Sequence, residues 1–191
     1  MGYTLNFAAV WRSFDLLLEG LGLSLALACA GLLIGSAIGL VVAFNLTAKS
    51  RLRRGPAQTY VTIIRNTPIL VLILLVYFGL PQLGVALNKG TSFILTLSVY
   101  SGAYLAEVFR AGLLAVPPGL REVGLAIGLR ESQIRISIIL PLMLRNALPS
   151  LGSTLISLFK DTSLAAAIAI PELTFEARKI NVETFRVVET W

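Results

Sequence analysis

Two neighbouring charged residues, Lys160 and Asp161, interrupt a long apolar stretch in the last third of the chain. The stretch covers residues 148–170 and would extend roughly 34 Å as a helix, enough to cross a bilayer. Charges at membrane depth are costly and usually face a cavity or a partner, so these two are the first candidates for chemistry. They cannot simply pair with each other, because adjacent helical residues point about 100° apart. A polar path and a structural pairing with other helices both remain open.

The usual signatures of catalysis are missing from the sequence. It contains no histidine, and its single cysteine, Cys29, lies in an apolar run, so there is no ligand set for zinc or haem and no disulfide framework. It also lacks the Gly-x-x-x-x-Gly-Lys-Ser/Thr loop that cradles nucleotide phosphates. We therefore expect a chain that is not an enzyme, binds no metal or cofactor and does not hydrolyse ATP.

The composition indicates a membrane protein. Of the 191 residues, 56% are hydrophobic and only 14% are charged, and the mean hydropathy is +0.83. Soluble domains have about a quarter of their residues charged. The net charge of +6 comes from residues clustered between apolar runs, so we interpret it through topology and expect no nucleic-acid partner. The prediction is an all-α integral membrane protein with a single domain over residues 1–191.

Four apolar stretches are long enough to be transmembrane helices, at residues 20–45, 58–87, 91–114 and 148–170. An amphipathic lead-in is expected over residues 1–19 and a polar outer loop over residues 171–191. Gly31, Gly35 and Gly39 recur at the spacing that allows close helix contacts. Pro68 predicts either a kink in the second span or a cap at its start.

Basic residues define the orientation. Lys49, Arg51, Arg53 and Arg54 lie in a short loop without acidic residues, which the positive-inside rule places in the cytoplasm. The amino terminus is then outside, in a multi-pass topology. Glu107 and Arg110 lie one helical turn apart near the inner end of the third span, where a local ion pair is expected.

A polar island between the third and fourth spans, residues 121–141, alternates charges with apolar residues. Its glycines, Gly124 and Gly128, predict a short helix, a turn and the start of a second helix. Such an element is suited to docking a partner. An ordinary interfacial loop is the alternative.

Several motifs together resemble the permeases of polar amino-acid ABC importers of the histidine/glutamine/arginine type. They are Glu122 with Gly128 and the Ile138-x-Leu140-Pro141 sequence, Arg65-Asn66-Thr67-Pro68, residues 77–81, residues 101–112, residues 116–119, and Lys160-Asp161-Thr162-Ser163-Leu164. The resemblance implies a type I ABC importer permease core in the bacterial plasma (inner) membrane. It also implies a second permease subunit, identical or different, two ATPase subunits that carry the ATP and Mg, and an external substrate-binding protein.

Two groups of residues are expected to have functional roles, the first from the resemblance and the second from its spacing on one helix. Glu122, Gly128, Ile138, Leu140 and Pro141 are expected at the ATPase contact, within a cytoplasmic coupling loop at residues 116–141. A second group, Thr154, Ser157 and Asp161, has i, i+3, i+7 spacing on one helix face and is expected to line the substrate path. Lys160 is expected to brace the subunit. A passive channel and a non-transporting membrane scaffold are the alternative functions.

The chain departs from the family pattern in two ways, and each departure leads to a further expectation. The family chain continues into a fifth transmembrane helix, so this sequence is expected to be either a fragment or a form that has lost that helix and exposes the face it covers. The family often has Gly-Asn-Glu where this chain has Gly152, Ser153 and Thr154. The missing glutamate argues against a cationic amino acid as substrate.

Overall fold

The computed structural model describes residues 4–190, and within that range it is all-helical, without a strand. The all-α prediction is confirmed. The α-helices in chain order are α1 (Ala8–Arg12), α2 (Phe14–Leu46), α3 (Arg51–Arg65), α4 (Ile69–Leu74), α5 (Lys89–Leu114), α6 (Gly119–Ala126), α7 (Glu131–Ile134), α8 (Leu140–Lys160), α9 (Leu173–Thr184) and α10 (Val187–Thr190). Within residues 4–190, three helical runs are long and apolar enough to cross a membrane, or four if α3 and the helices after it form one broken span.

The first span begins earlier than the sequence suggested. Helix α2 runs without interruption from Phe14 to Leu46, so the predicted lead-in ends before residue 14. The Leu16–Leu18 cluster allows the apolar helix to start there, and Asp15 lies in its first turn, where a negative charge is favourable.

The second apolar stretch is interrupted at residues 66–68. Pro68 has no N–H to donate, so it cannot continue the hydrogen bonding of α3. Two side chains bind carbonyls of the last turn of α3: Asn66 Nδ2 donates to Thr62 O at 2.7 Å, and Thr67 Oγ1 donates to Ile63 O at 2.8 Å. The break predicted at Pro68 is confirmed, whereas the helices on either side of it cover Arg51–Arg65 and Ile69–Leu83 instead of residues 58–87. Helix α3 also begins at Arg51, so most of the predicted basic loop is the first turn of a helix.

The third span agrees with the prediction of residues 91–114. Helix α5 covers Lys89–Leu114, and Asn88 Oδ1 accepts a hydrogen bond from Thr91 N at 2.8 Å at its start. The helix ends just before Pro117 and Pro118.

The fourth helical run is longer than predicted. It extends over Glu131–Ile168, with a π-helical turn at Arg135–Ile139 and a 3-10 segment at Asp161–Ile168 on either side of α8. The π-helical turn ends two residues before Pro141, whose missing N–H removes a regular helical hydrogen bond to the turn. Arg145 and Asn146, which precede the predicted start of the span at residue 148, are exposed residues within α8.

The predicted polar loop at residues 171–191 is wrong for its described part, because α9 and α10 occupy most of it. Helix α9 starts at a side-chain cap: Glu172 Oε1 accepts from Phe175 N at 2.8 Å. Trp191 and the first three residues, which belonged to the predicted loop and lead-in, lie outside the described residues.

The chain groups into two compact units. Unit 1 holds the residues up to Gly31, Ile69–Thr96 and the residues from Phe159 onward; unit 2 holds Leu32–Pro68 and Leu97–Leu158. The single-domain assignment of residues 1–191 stays a prediction.

The core of unit 2 is built on close helix contacts. A Cβ at Gly39 would lie 2.9 Å from Leu105 Cβ, and one at Gly35 would collide with Ser101 Oγ. The predicted role of these two glycines in close packing is confirmed. The buried residues around them are Ala43, Leu105, Phe109, Met143, Ala147 and Leu158.

Candidate functional site

The coupling segment, residues 116–141, has the predicted helix, turn and helix. Its turn depends on Gly128, which has φ +84°, a left-handed conformation that side chains disfavour. Gly128 N donates to Leu125 O and Leu129 N donates to Gly124 O, both at 3.0 Å, which is the Schellman arrangement that ends α6. A Cβ at Gly128 would meet nothing within 4 Å, so the backbone turn, not close packing, requires glycine here.

Close packing instead requires Gly124, four residues earlier. A Cβ at this position would lie 2.8 Å from Ile134 Cγ1, and Ile134 is completely buried. Helix α6 thus rests on α7 through this pair, and the ion pair between Arg121 and Glu131 closes the same junction at its surface. The sequence analysis identified Gly124 only as part of the turn pattern.

The five residues predicted to contact an ATPase occupy different environments. Glu122, Gly128 and Pro141 are exposed, whereas Ile138 and Leu140 are half-buried and Leu140 packs against the core of unit 2. Exposed apolar side chains accompany the first three, notably Ile127 and Ile136 at 68% and 66% exposure. The segment therefore presents a carboxylate among apolar groups, which is suited to contact with another protein.

The three residues predicted to line a substrate path lie on one helical run but on two kinds of helix. Thr154 and Ser157 belong to α8, while Asp161 is the first residue of the 3-10 segment that follows. Thr154 and Asp161 are half-buried and Ser157 is exposed. Their side chains make no hydrogen bond to any of residues 4–190, so all three polar groups are available to a ligand. Lys160 is exposed at the end of α8, where a positive charge is favourable.

A cavity in unit 2 was not predicted. We call it the Arg65 pocket; its volume is about 410 Å³. The lining residues are Leu46, Gln58, Val61, Thr62, Arg65, Asn66, Tyr104 and Glu107. The Arg65 guanidinium lies over the Tyr104 ring, with Cζ 5.2 Å from the ring centroid. Glu107 forms the predicted pair with Arg110, whose Nε and Nη2 donate to Glu107 Oε2 at 2.9 and 2.6 Å. The sequence showed these charges, but not that α3 and α5 place them around one cavity.

Three buried glutamates in the C-terminal segment, residues 170–190, were also missed. Glu172 is 1% exposed; its Oε2 lies 3.2 Å from Ser24 Oγ, which in turn accepts from Leu173 N at 3.2 Å. Glu189 Oε1 accepts from Asn6 N at 2.9 Å, and Glu176 Oε2 lies 4.0 Å from Lys179 Nζ. Glu172 lies three positions before Phe175, so the sequence could have predicted it as the N-cap of α9. No local feature of the sequence predicts that its carboxylate is buried.

Comparison with known proteins assigns the family. The description "Binding-protein-dependent transport system inner membrane component" matches residues 13–187. The chain belongs to this family. It is therefore a membrane-spanning ABC importer permease, the transport subunit rather than the ATPase.

Named relatives and solved structures agree with this assignment. The chain is 37% identical over 188 residues to the glutamine transport system permease protein GlnP of Escherichia coli K12, covering 97% of this chain and 86% of GlnP. It is 34% identical to the L-cystine transport system permease protein TcyB of Bacillus subtilis, over 95% and 78% of the two chains. A crystal structure of an amino acid ABC transporter with histidines matches with a TM-score of 0.85 and 32% identity over 98% and 88%. The expected type I importer permease fold is confirmed.

Proposed function

We propose that this permease is the transmembrane subunit of an ATP-driven transporter that takes up a polar amino acid. The similarity to GlnP over 97% of the chain carries this proposal. The assembly would contain a second permease subunit, identical or different, two ATPase subunits that bind ATP and Mg, and an external substrate-binding protein. The chain would lie in the bacterial plasma membrane with its amino terminus outside, since Arg51, Arg53 and Arg54 are all exposed at the start of α3.

The coupling segment would receive the ATPase. Glu122 and Gly128 are exposed next to Ile127, and the ion pair between Arg121 and Glu131 links α6 to α7. A partner that moves α6 would therefore also move α7 and the helical run that continues into α8. Ile138, Leu140 and Pro141 lie on that run and would transmit the displacement.

The same helical run would present the substrate path. Asp161 would receive the ammonium group of the amino acid, and the hydroxyls of Thr154 and Ser157 would bind a neutral or polar side chain. The Thr154 hydroxyl suits such a side chain better than a cationic one, because it supplies no negative charge.

Uptake measurements test this assignment. Permease reconstituted with its ATPase and binding protein in liposomes is supplied with arginine, glutamine and glutamate in parallel. Asp161→Asn should lower uptake at least tenfold with assembly preserved, because the isosteric amide cannot neutralise an ammonium. Thr154→Glu should shift the preference towards arginine.

Two controls separate charge from size: Asp161→Glu keeps the carboxylate, and Thr154→Gln adds the bulk of glutamate without its charge. Full activity in Asp161→Asn together with an unchanged preference in Thr154→Glu would exclude this face from the path.

A further inference from the structure

The turn between α2 and the start of α3 carries a concentrated positive charge. The exposed residues that form it, which we call the basic patch, are Lys49, Arg51, Arg53 and Arg54. Within residues 4–190, none of the four is in an ion pair. The sequence has no acidic residue between Glu19 and Glu107, so no carboxylate close to the patch along the chain compensates its charge.

Three of these charges lie where a helix disfavours them. Arg51, Arg53 and Arg54 belong to the first turn of α3, and the free N–H groups of a first turn give that end of a helix a partial positive charge. This turn contains no acidic residue, and the Ser50 side chain makes no capping hydrogen bond. The start of α3 therefore departs from the usual charge pattern of helices, and an anion from outside the chain would compensate for the departure.

The rest of α3 has an apolar outer face. Ala57 and Val61 are buried against α2 and α5. Leu52 and Ile63 are about three helical turns apart and share the opposite side of the helix, where they are 88% and 58% exposed. Basic residues beside an exposed apolar face are typical of a helix that contacts a membrane surface.

The basic patch directly follows a membrane span. Helix α2 ends at Leu46, three residues before Lys49. The hydroxyl of Thr47 donates to Phe44 O at 3.1 Å, so the polar boundary of the span lies here. Lysine and arginine side chains this close to a span can reach the phosphates of the lipid head groups.

A phospholipid with a negatively charged head group matches both the charge and the apolar face. Guanidinium groups bind phosphate oxygens with two parallel hydrogen bonds, and the acyl chains of a lipid would remove Leu52 from water. A free phosphate ion would match only the charges.

We propose that the basic patch binds the head group of an anionic phospholipid, with Leu52 inserted among the acyl chains. Each basic side chain close to an anionic membrane contributes about fivefold in affinity. The bound lipid would hold the start of α3 at the membrane surface. The choice of the cytoplasmic leaflet rests on the orientation in the proposed function, whereas the choice of lipid does not.

Native mass spectrometry of the full-length permease, purified with its ATPase and without ATP, tests the proposal. The probes are phosphatidylglycerol and phosphatidylcholine with identical acyl chains, and glycerol phosphate as a head group without acyl chains. The Kd of the first bound lipid is measured for each. We expect phosphatidylglycerol to bind at least about tenfold more tightly than phosphatidylcholine, and the preference to fall at high ionic strength.

Paired substitutions assign the preference to the patch. Arg51→Gln with Arg54→Gln should weaken phosphatidylglycerol binding at least about tenfold and leave phosphatidylcholine binding unchanged. Arg12→Gln with Arg178→Gln is the matched control, because it removes two exposed positive charges elsewhere in the chain and should leave both Kd values unchanged. Arg51→Lys with Arg54→Lys keeps the charges and should retain most of the preference.

A substitution at Leu52 tests the apolar contact. Leu52→Asn should weaken phosphatidylglycerol severalfold without changing the affinity for glycerol phosphate, and Leu52→Met should bind both probes as the unmodified protein does. Glycerol phosphate that binds as tightly as phosphatidylglycerol would show a site for free anions and overturn the proposal.

Two further outcomes would also overturn it. One is an equal loss of phosphatidylglycerol binding in the two paired neutral variants. The other is loss of the ATPase from Arg51→Gln with Arg54→Gln while lipid binding is unaltered, which would make the patch a protein contact. The result is independent of uptake: a permease that prefers phosphatidylglycerol but transports no amino acid would refute the proposed function alone.

Discussion

The coupling segment and the C-terminal segment look alike in sequence but place their glutamates differently. The coupling segment has 26 residues and the C-terminal segment has 21, and both carry mixed charges among apolar residues. In the coupling segment, Glu122 is exposed, and the Glu131 side chain, 44% exposed, pairs with Arg121 at the surface. In the C-terminal segment Glu172, Glu176 and Glu189 are all buried.

The difference separates an exposed surface from a structural network. A buried carboxylate is stabilised by hydrogen-bond donors: Glu172 has Ser24 Oγ and Phe175 N, whereas Glu176 Oε2 has no hydrogen-bond partner within residues 4–190. An exposed carboxylate beside exposed apolar side chains needs no internal partner. The count of charged residues in a segment therefore does not indicate their role. Their burial indicates whether a substitution should be tested by protein stability or by partner binding.

The largest effect should come from breaking the buried network. Glu172→Ala removes the cap of α9 and the partner of Ser24, and should lower the free energy of unfolding by about 2–4 kcal/mol. The thermal unfolding of purified permease in detergent measures this loss.

Glu183→Ala is the matched control, since it removes an exposed carboxylate from the same helix. Its melting temperature should stay close to that of the unmodified protein. Equal melting temperatures for the two variants would show that burial does not distinguish the glutamates.

An intermediate effect is expected at the turn of the coupling segment. Gly128→Leu forces a branched side chain into a left-handed conformation, at a cost of about 1–2 kcal/mol, and leaves the membrane helices unaltered. Membrane insertion should persist, while assembly with the ATPase or substrate-stimulated ATP hydrolysis is lost. Co-purification and phosphate release measure the two.

Asn tolerates the left-handed region, so Gly128→Asn should retain much of the stimulated hydrolysis. Gly124→Leu tests the other glycine, because its side chain would collide with Ile134 and separate α6 from α7. Normal transport by Gly128→Leu would refute the role of this turn in coupling.

The smallest effect is predicted for the surface ion pair. Arg121 and Glu131 have half-exposed side chains, so Glu131→Gln should change the free energy of unfolding by less than about 1 kcal/mol, and less still at high salt. Melting temperatures at low and high ionic strength check this. A loss as large as that in Glu172→Ala would place this pair in the structural network and remove the contrast between the segments.

Local sequence was sufficient for features that depend on near neighbours. Apolar length predicted the span that became α5, Pro68 predicted a break, and Gly128 predicted the turn after α6. Gly35 and Gly39 predicted close packing because their spacing places them on one helix face. Helix ends were less accurate: α2 and the run containing α8 both extend beyond their apolar cores, since polar residues such as Asp15 and Arg145 are accepted within a helix when they are exposed.

The sequence by itself determined that the chain is a helical membrane protein with a polar helix–turn–helix segment before its last apolar stretch, since apolar length, charge clustering and glycine spacing are local properties. Only the tertiary structure decided which charges are buried and which share a cavity. Ser24 and Glu172 are 148 residues apart, and Arg65 meets Tyr104 only because α3 packs on α5. The burial of a charge depends on the partners that folding brings to it, and those partners can be distant from it in the sequence.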